Sequence, residues 1–202
     1  MIDLTTFGIF FAAAFTLAVI PGPGMLYVLA RTVRGGRREG VLSTLGTGVA
    51  GLLHTLAAAL GVSAILATSA VAFALIKWLG AAYLIYLGVR TLLERERLKL
   101  DTDTSPKGAF TQGVLTEALN PKTALFFLAF IPQFVNPAGN VFLQFVTLGF
   151  ITTLLTSGAD FIVALAAGSL SGVLKNKRER KVQRVTSGGV LIGLGVYVAV
   201  ER

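Results

Sequence analysis

Apolar residues in this chain fall into long, nearly uncharged blocks, unlike the alternating or three-and-four spacing of a soluble domain. The blocks run Leu4 to Ala30, Val41 to Ala64, Val71 to Val89, Gly108 to Pro132, Val141 to Leu165 and Val185 to Val200. Crossing a bilayer takes roughly 17 to 25 helical residues, so each block predicts one membrane span, the last a short one. The first block begins beside Asp3 and outruns the apolar core of a secretory leader, so it is expected to remain in the mature chain. Two blocks are interrupted, one by Pro21-Gly22-Pro23-Gly24 and the other by Asn120-Pro121-Lys122, with Pro21 and Pro121 in register. Proline donates no backbone hydrogen bond and clashes with the preceding turn. The first and fourth spans are therefore predicted to be split into half-helices.

The one long polar stretch, Glu94 to Lys107, halves the chain. Overlaying the halves sets Phe10 on Phe110, Thr16 on Thr116, Ala18 on Ala118 and Pro21 on Pro121. Further along, Thr44-Leu45-Gly46 meets Thr147-Leu148-Gly149, and Leu84 to Val89 meets Leu191 to Val196. The pattern predicts a single transmembrane domain over 1–202, made of a three-helix repeat (1–93), a linker (94–107) and a second three-helix repeat (108–202). An odd number of spans per repeat forces the halves to enter the membrane from opposite sides, which puts a site near the midplane between them. The predicted fold class is an all-α membrane protein of six transmembrane helices in two inverted repeats, with helices 1 and 4 broken.

Composition agrees, with 54% hydrophobic residues, 14% charged and a mean hydropathy of +0.76. The net charge of +8 would suggest nucleic acid if it were spread evenly. It is not: of 18 Lys and Arg residues, all but Lys77, Lys122 and Arg202 lie in 31–38, 90–107 and 175–184. The positive-inside rule places those three segments, including the linker, in the cytoplasm and both termini in the periplasm. No nucleic-acid partner is expected, and the basic segments are suited to anionic lipid headgroups.

The breaks also carry the candidate chemistry. Asn120 is a favoured N-cap and Pro121 fits the first helical position, while Pro23 can open a half-helix after the first break. Gly22 and Gly24 let backbone approach backbone or ligand without an intervening side chain. Two half-helix N-termini with a positive dipole end suit a carboxylate. The carbonyls left near Ile20 and Leu119 suit a cation or an ammonium group. One site offering both suits a zwitterion. The substrate-binding candidates are Pro21, Gly22, Pro23, Gly24, Asn120, Pro121 and Lys122.

Ionisable residues within spans cost about 2.5 to 3.5 kcal/mol each on insertion scales, so each needs a role. Lys77 can snorkel to the outer surface. Lys122 is assigned to substrate, with an ion pair to Glu117 or Asp160 as its rival role. Asp160, alone in the uncharged stretch Thr123 to Asn176, is the leading proton-coupling candidate, followed by Glu117 and His54. For His54 the alternative is a packing hydrogen bond within a Gly/Ala-rich helix.

Other motifs drop out. Gly46 to Gly51 has the G-x-G-x-x-G spacing but lacks a preceding strand and a following acidic residue, so it reads as a close-packing helix face. Gly189 to Gly193 reads likewise, toward a neighbouring helix or a homodimer partner. With no cysteine, no zinc spacing, no phosphate loop and no nucleophile set, neither metal nor cofactor nor enzyme activity is expected.

Pro21-Gly22-Pro23 before an apolar half-helix, the basic stretch Arg31 to Gly40, Gly80-Ala81-Ala82-Tyr83-Leu84, and Asn120-Pro121-Lys122 leading into Phe126-Phe127 and Pro132-Gln133-Phe134 resemble the lysine exporter (LysE) and homoserine/threonine resistance (RhtB) family of bacterial inner-membrane exporters. The resemblance spans nearly the whole chain. It implies proton-driven export of amino acids or their derivatives and assigns binding roles to Pro21, Gly22, Pro23, Asn120, Pro121 and Lys122. Family members differ at the next position, some bearing a polar side chain, where Gly24 here offers only backbone. A passive channel for zwitterions, or an exporter of another small solute or metal ion, are the remaining alternatives.

Overall fold

The computed structural model describes residues 4–68 and 106–170 continuously, together with single helical positions between 71 and 93 and between 185 and 196. The expected third and sixth spans, most of the 94–107 linker, the basic segments from Arg90 and from Lys175, Lys77 and the Gly189 to Gly193 surface lie wholly or largely outside the described residues. Among the described residues every regular element is helical. In chain order these are α1 (Leu4–Val19), α2 (Pro23–Thr68), α3 (Pro106–Ala118), α4 (Pro121–Leu125) and α5 (Val141–Leu170). A π turn, Phe126–Phe130, and a 3-10 turn, Ile131–Phe134, follow α4.

Helix α2 is not straight. Gly36 sits at φ 77°, outside the helical region and in backbone space that favours glycine. The Thr47 methyl lies 3.7 Å from where a Cβ on Gly24 would stand, although a straight helix would separate these residues by about 35 Å. Thr32 likewise lies against Gly40, and Arg31 Nε is 3.4 Å from Glu39 Oε2 in a buried ion pair. All three pairs have their midpoint at Gly36 or within one residue of it. Helix α2 is therefore a hairpin of two antiparallel limbs, residues 23–35 and 37–68. The loop expected over Arg31 to Gly40 shrinks to this one residue, because arginine is a good helix former and Arg34, Arg37 and Arg38 are exposed at the tip.

Among the described residues, Pro23–Ile65, although it folds back at Gly36, and Val141–Ala166 each pass as membrane spans by length and hydropathy. Gly108–Ala118 and Pro121–Phe134, bent by 45° at their junction, make a third such segment if taken together. Leu52, Leu56 and Leu60 form an exposed apolar stripe along α2, and Leu143, Leu154 and Ile162 are exposed along α5. In lipid such faces need no protein partner.

The second limb of α2 packs between α3 and α5. A Cβ on Gly46 would collide with the Phe110 carbonyl oxygen of α3, whereas Gly158 on α5 faces open space. Overpacking typically costs 1–3 kcal/mol. Gly46→Ala is therefore expected to destabilise the protein by about that much and Gly158→Ala to leave it unchanged. Thermal unfolding in detergent checks this, and equal shifts for the two variants would contradict the close helix crossing.

Beyond α4 the core is aromatic. Phe126 stacks on Phe130 with centroids 4.8 Å apart, Phe130 contacts Phe134 at 4.9 Å, and Phe134 meets the edge of Phe10 from α1 at 5.5 Å. Leu17, Phe145 and Leu148 complete this cluster. Leu17 joins it to the first break, since the same residue lines the cavity there.

Candidate functional site

Both breaks arise from the same missing atom. In an α-helix the N–H of residue i+4 serves the carbonyl of residue i, so Pro21 withdraws the donor from Leu17 and Pro121 withdraws it from Glu117. In each case a side chain from the other half of the chain supplies one. Lys122 Nζ donates to the carbonyl oxygens of Leu17 at 3.1 Å and Ile20 at 2.9 Å. His54 Nε2 donates to the Glu117 carbonyl at 3.1 Å, which fixes a proton on that nitrogen because a carbonyl only accepts. The Asn120 N–H shares the Glu117 carbonyl at 3.0 Å, and the His54 ring stacks on Phe127. Of the carbonyls expected to stand free near the breaks, those of Leu17, Ile20 and Glu117 are thus engaged by the protein's own donors.

At the second break Asn120 caps α4, its Oδ1 accepting from the Lys122 N–H at 3.1 Å, with Pro121 as first helical residue. Its Nδ2 donates to Glu117 Oε2 at 3.0 Å, and Thr123 Oγ1 donates to Glu117 Oε1. The capping side chain therefore also orients a carboxylate. Asp160 on α5 accepts from Thr47 Oγ1 at 2.9 Å through Oδ2. Lys122, Glu117 and Asp160 are all buried. The rival role weighed for Lys122, an ion pair with Glu117 or Asp160, is not formed: among the described residues, Arg31–Glu39 is the only ion pair within 4 Å.

The first break supplies bare backbone to these side chains. A Cβ on Gly24 would strike Glu117 Oε2, and one on Gly22 would stand 3.0 Å from Lys122 Nζ. A polar side chain at residue 24 would displace Glu117, which explains why this chain carries glycine there. The resulting cavity leaves about 20 Å³, room for a water molecule or two but not for an amino acid. Of the sequence candidates, Gly22, Gly24, Asn120, Lys122, Glu117 and Asp160 line it. Pro21, Pro23 and Pro121, each next in sequence to a lining residue, do not line it, and neither does His54, which is bonded to the Glu117 carbonyl. Sequence reasoning missed Thr47, Thr123 and Thr156, the last two of which line the cavity. Thr47 was hidden in a glycine-rich face read only as packing; its signal is a hydroxyl on a stripe of small residues, facing the lone acid of another span.

A helical membrane protein with buried charges at two helix interruptions has the makings of a transporter. Residues 15–202 match the family LysE type translocator, and the chain belongs to that family. Over 192 residues it is 34% identical to the uncharacterized membrane protein YrhP of Bacillus subtilis, covering 89% of this chain and 91% of the relative. It is 28% identical over 193 residues to a homoserine/homoserine lactone efflux protein of Salmonella typhimurium, covering 92% of each. Identity to a leucine efflux protein of Salmonella choleraesuis is 30% over 131 residues, covering 63% of this chain and 62% of the relative. No solved structure matches. The chain is accordingly a membrane transporter of an amino-acid exporter family, not an enzyme.

Proposed function

We propose that this protein exports an amino acid or a close derivative across the bacterial inner membrane in exchange for protons, through a midplane site at the two breaks. The observation that carries this reading is the small cavity where both breaks meet, in which one lysine and two acids are buried together. An intramembrane ionisable residue is costly and marks a transport or relay role. Homoserine, its lactone and leucine, the compounds in the relatives' names, share a primary amine beside a carbonyl group. Two acids and a lysine match such a cargo, with one acid left to carry a proton. Asp160 is the preferred carrier, because among the described residues it accepts from the Thr47 hydroxyl alone, whereas Glu117 is held by two donors.

The small volume of the cavity, about 20 Å³, supports an alternating carrier over an open pore. Counterflow tests this: proteoliposomes loaded with unlabelled homoserine or leucine should concentrate the labelled compound transiently and saturably. Unsaturable leakage with no overshoot would favour the channel.

The six-span inverted arrangement belongs to the same proposal, supported by the registered breaks and by the hairpin tip, whose exposed arginines suit the cytoplasmic face. Reporter fusions at residue 202 are expected to read periplasmic. A cytoplasmic C-terminus would overturn both the topology and the inverted repeat.

A further inference from the structure

Leu17 and Ile20 turn two carbonyl oxygens toward one point, and a buried ammonium group sits there. The geometry has a local cause. Pro21 cannot serve the Leu17 carbonyl, and Ile20 lies in the interruption after Val19, so its carbonyl points out of the end of α1. The negative end of the α1 dipole adds to the attraction for a cation. Lys122 reaches this point from the other half of the chain, across the bare backbone of Gly22.

What holds Lys122 there is a pair of neutral dipoles. Neither carboxylate of the cavity lies within 4 Å of it. A hydrogen bond between two charged groups is stronger than one between an ammonium and a neutral carbonyl. A ligand that brings its own carboxylate can therefore draw Lys122 away, provided that something takes its place on the carbonyls; otherwise two buried acceptors are left unpaired, which is costly.

We propose that the carbonyl oxygens of Leu17 and Ile20 form a primary-ammonium site, filled by Lys122 in the empty transporter and by the ammonium group of the cargo during transport. Lys122 is then a tethered stand-in for cargo. The exchange leaves every donor and acceptor paired at both ends, and it selects for amines with N–H groups, because the site offers acceptors only. The cargo half of this inference rests on the exporter reading above; the site itself does not.

The test removes the stand-in and supplies a free one. Purified Lys122→Ala, with Lys122→Met as a second variant that keeps an unbranched apolar chain, is unfolded thermally in detergent with ethylammonium chloride. The control is tetramethylammonium chloride at equal concentration, a cation without N–H donors. At a few times its dissociation constant, ethylammonium is expected to raise the melting temperature of either variant by about 2–4 °C. Tetramethylammonium should not, and the wild-type protein should not respond to either. Pro21→Ala added to Lys122→Ala should abolish the shift, since the new N–H can serve Leu17. Equal shifts with the two cations, or a wild-type response as large as the variants', would overturn the site. No transport enters this readout. A positive shift in a protein that exports no amino acid would keep the site and discard the exporter reading, and the reverse pair of results would do the opposite.

Discussion

Lys122→Ala is expected to abolish amino-acid transport at cargo concentrations that serve the wild-type protein, through lost affinity, while leaving the protein inserted in the membrane. The side chain is the cation nearest the cavity, and it is buried against the C-terminal end of α1. In the proposed transport cycle it passes from those carbonyls to the carboxylate of the cargo. A hydrogen bond to a charged group contributes about 1.5–3 kcal/mol, so its loss should weaken apparent cargo affinity by roughly 10- to 150-fold. Initial rates of uptake into proteoliposomes over a range of leucine or homoserine concentrations measure this directly. Near-normal affinity in the variant would reduce Lys122 to a structural clamp between the two halves.

Asp160→Asn should separate binding from coupling. Asparagine keeps an oxygen that accepts from Thr47 Oγ1, so the cavity wall survives, but the amide cannot take up and release a proton. Counterflow with cargo on both sides is expected to persist, whereas accumulation driven by a pH gradient is expected to vanish. For one proton exchanged per cargo, a gradient of one pH unit sustains about a tenfold concentration ratio; the variant should fall to a ratio near one. If both activities are lost, Asp160 holds cargo or structure. If both persist, coupling passes to Glu117, the other acid lining the cavity.

The local consequences of proline were legible in the sequence, because they depend only on neighbours along the chain. That Asn120 caps a helix opened by Pro121, and that a helix starts at Pro23, follow from a missing donor and a fixed backbone angle. Where the orphaned carbonyls find new partners was not legible. Lys122 lies 105 and 102 positions from the two carbonyls it serves, and Thr47 lies 113 from Asp160. Such pairings appear only once the halves are packed against each other. The hairpin misled in the other direction: a cluster of arginines reads as a loop by polarity, yet it is helical up to the single positive-φ residue, Gly36. Gly24 shows why a residue without a side chain is hard to assign from sequence. Its importance lies in the Glu117 carboxylate that occupies the space a Cβ would need.

The two buried acids and the lysine can belong to one cycle only if cargo and proton use the same cavity in turn. Accumulation of labelled amino acids by proteoliposomes with an acidic interior, set against the same vesicles at equal pH, tests this most directly. Exchange of an internal proton for external cargo predicts saturable accumulation above the external concentration that collapses when a protonophore dissipates the gradient. Equilibration to the external concentration, with the same rate and endpoint with or without the gradient, would contradict it.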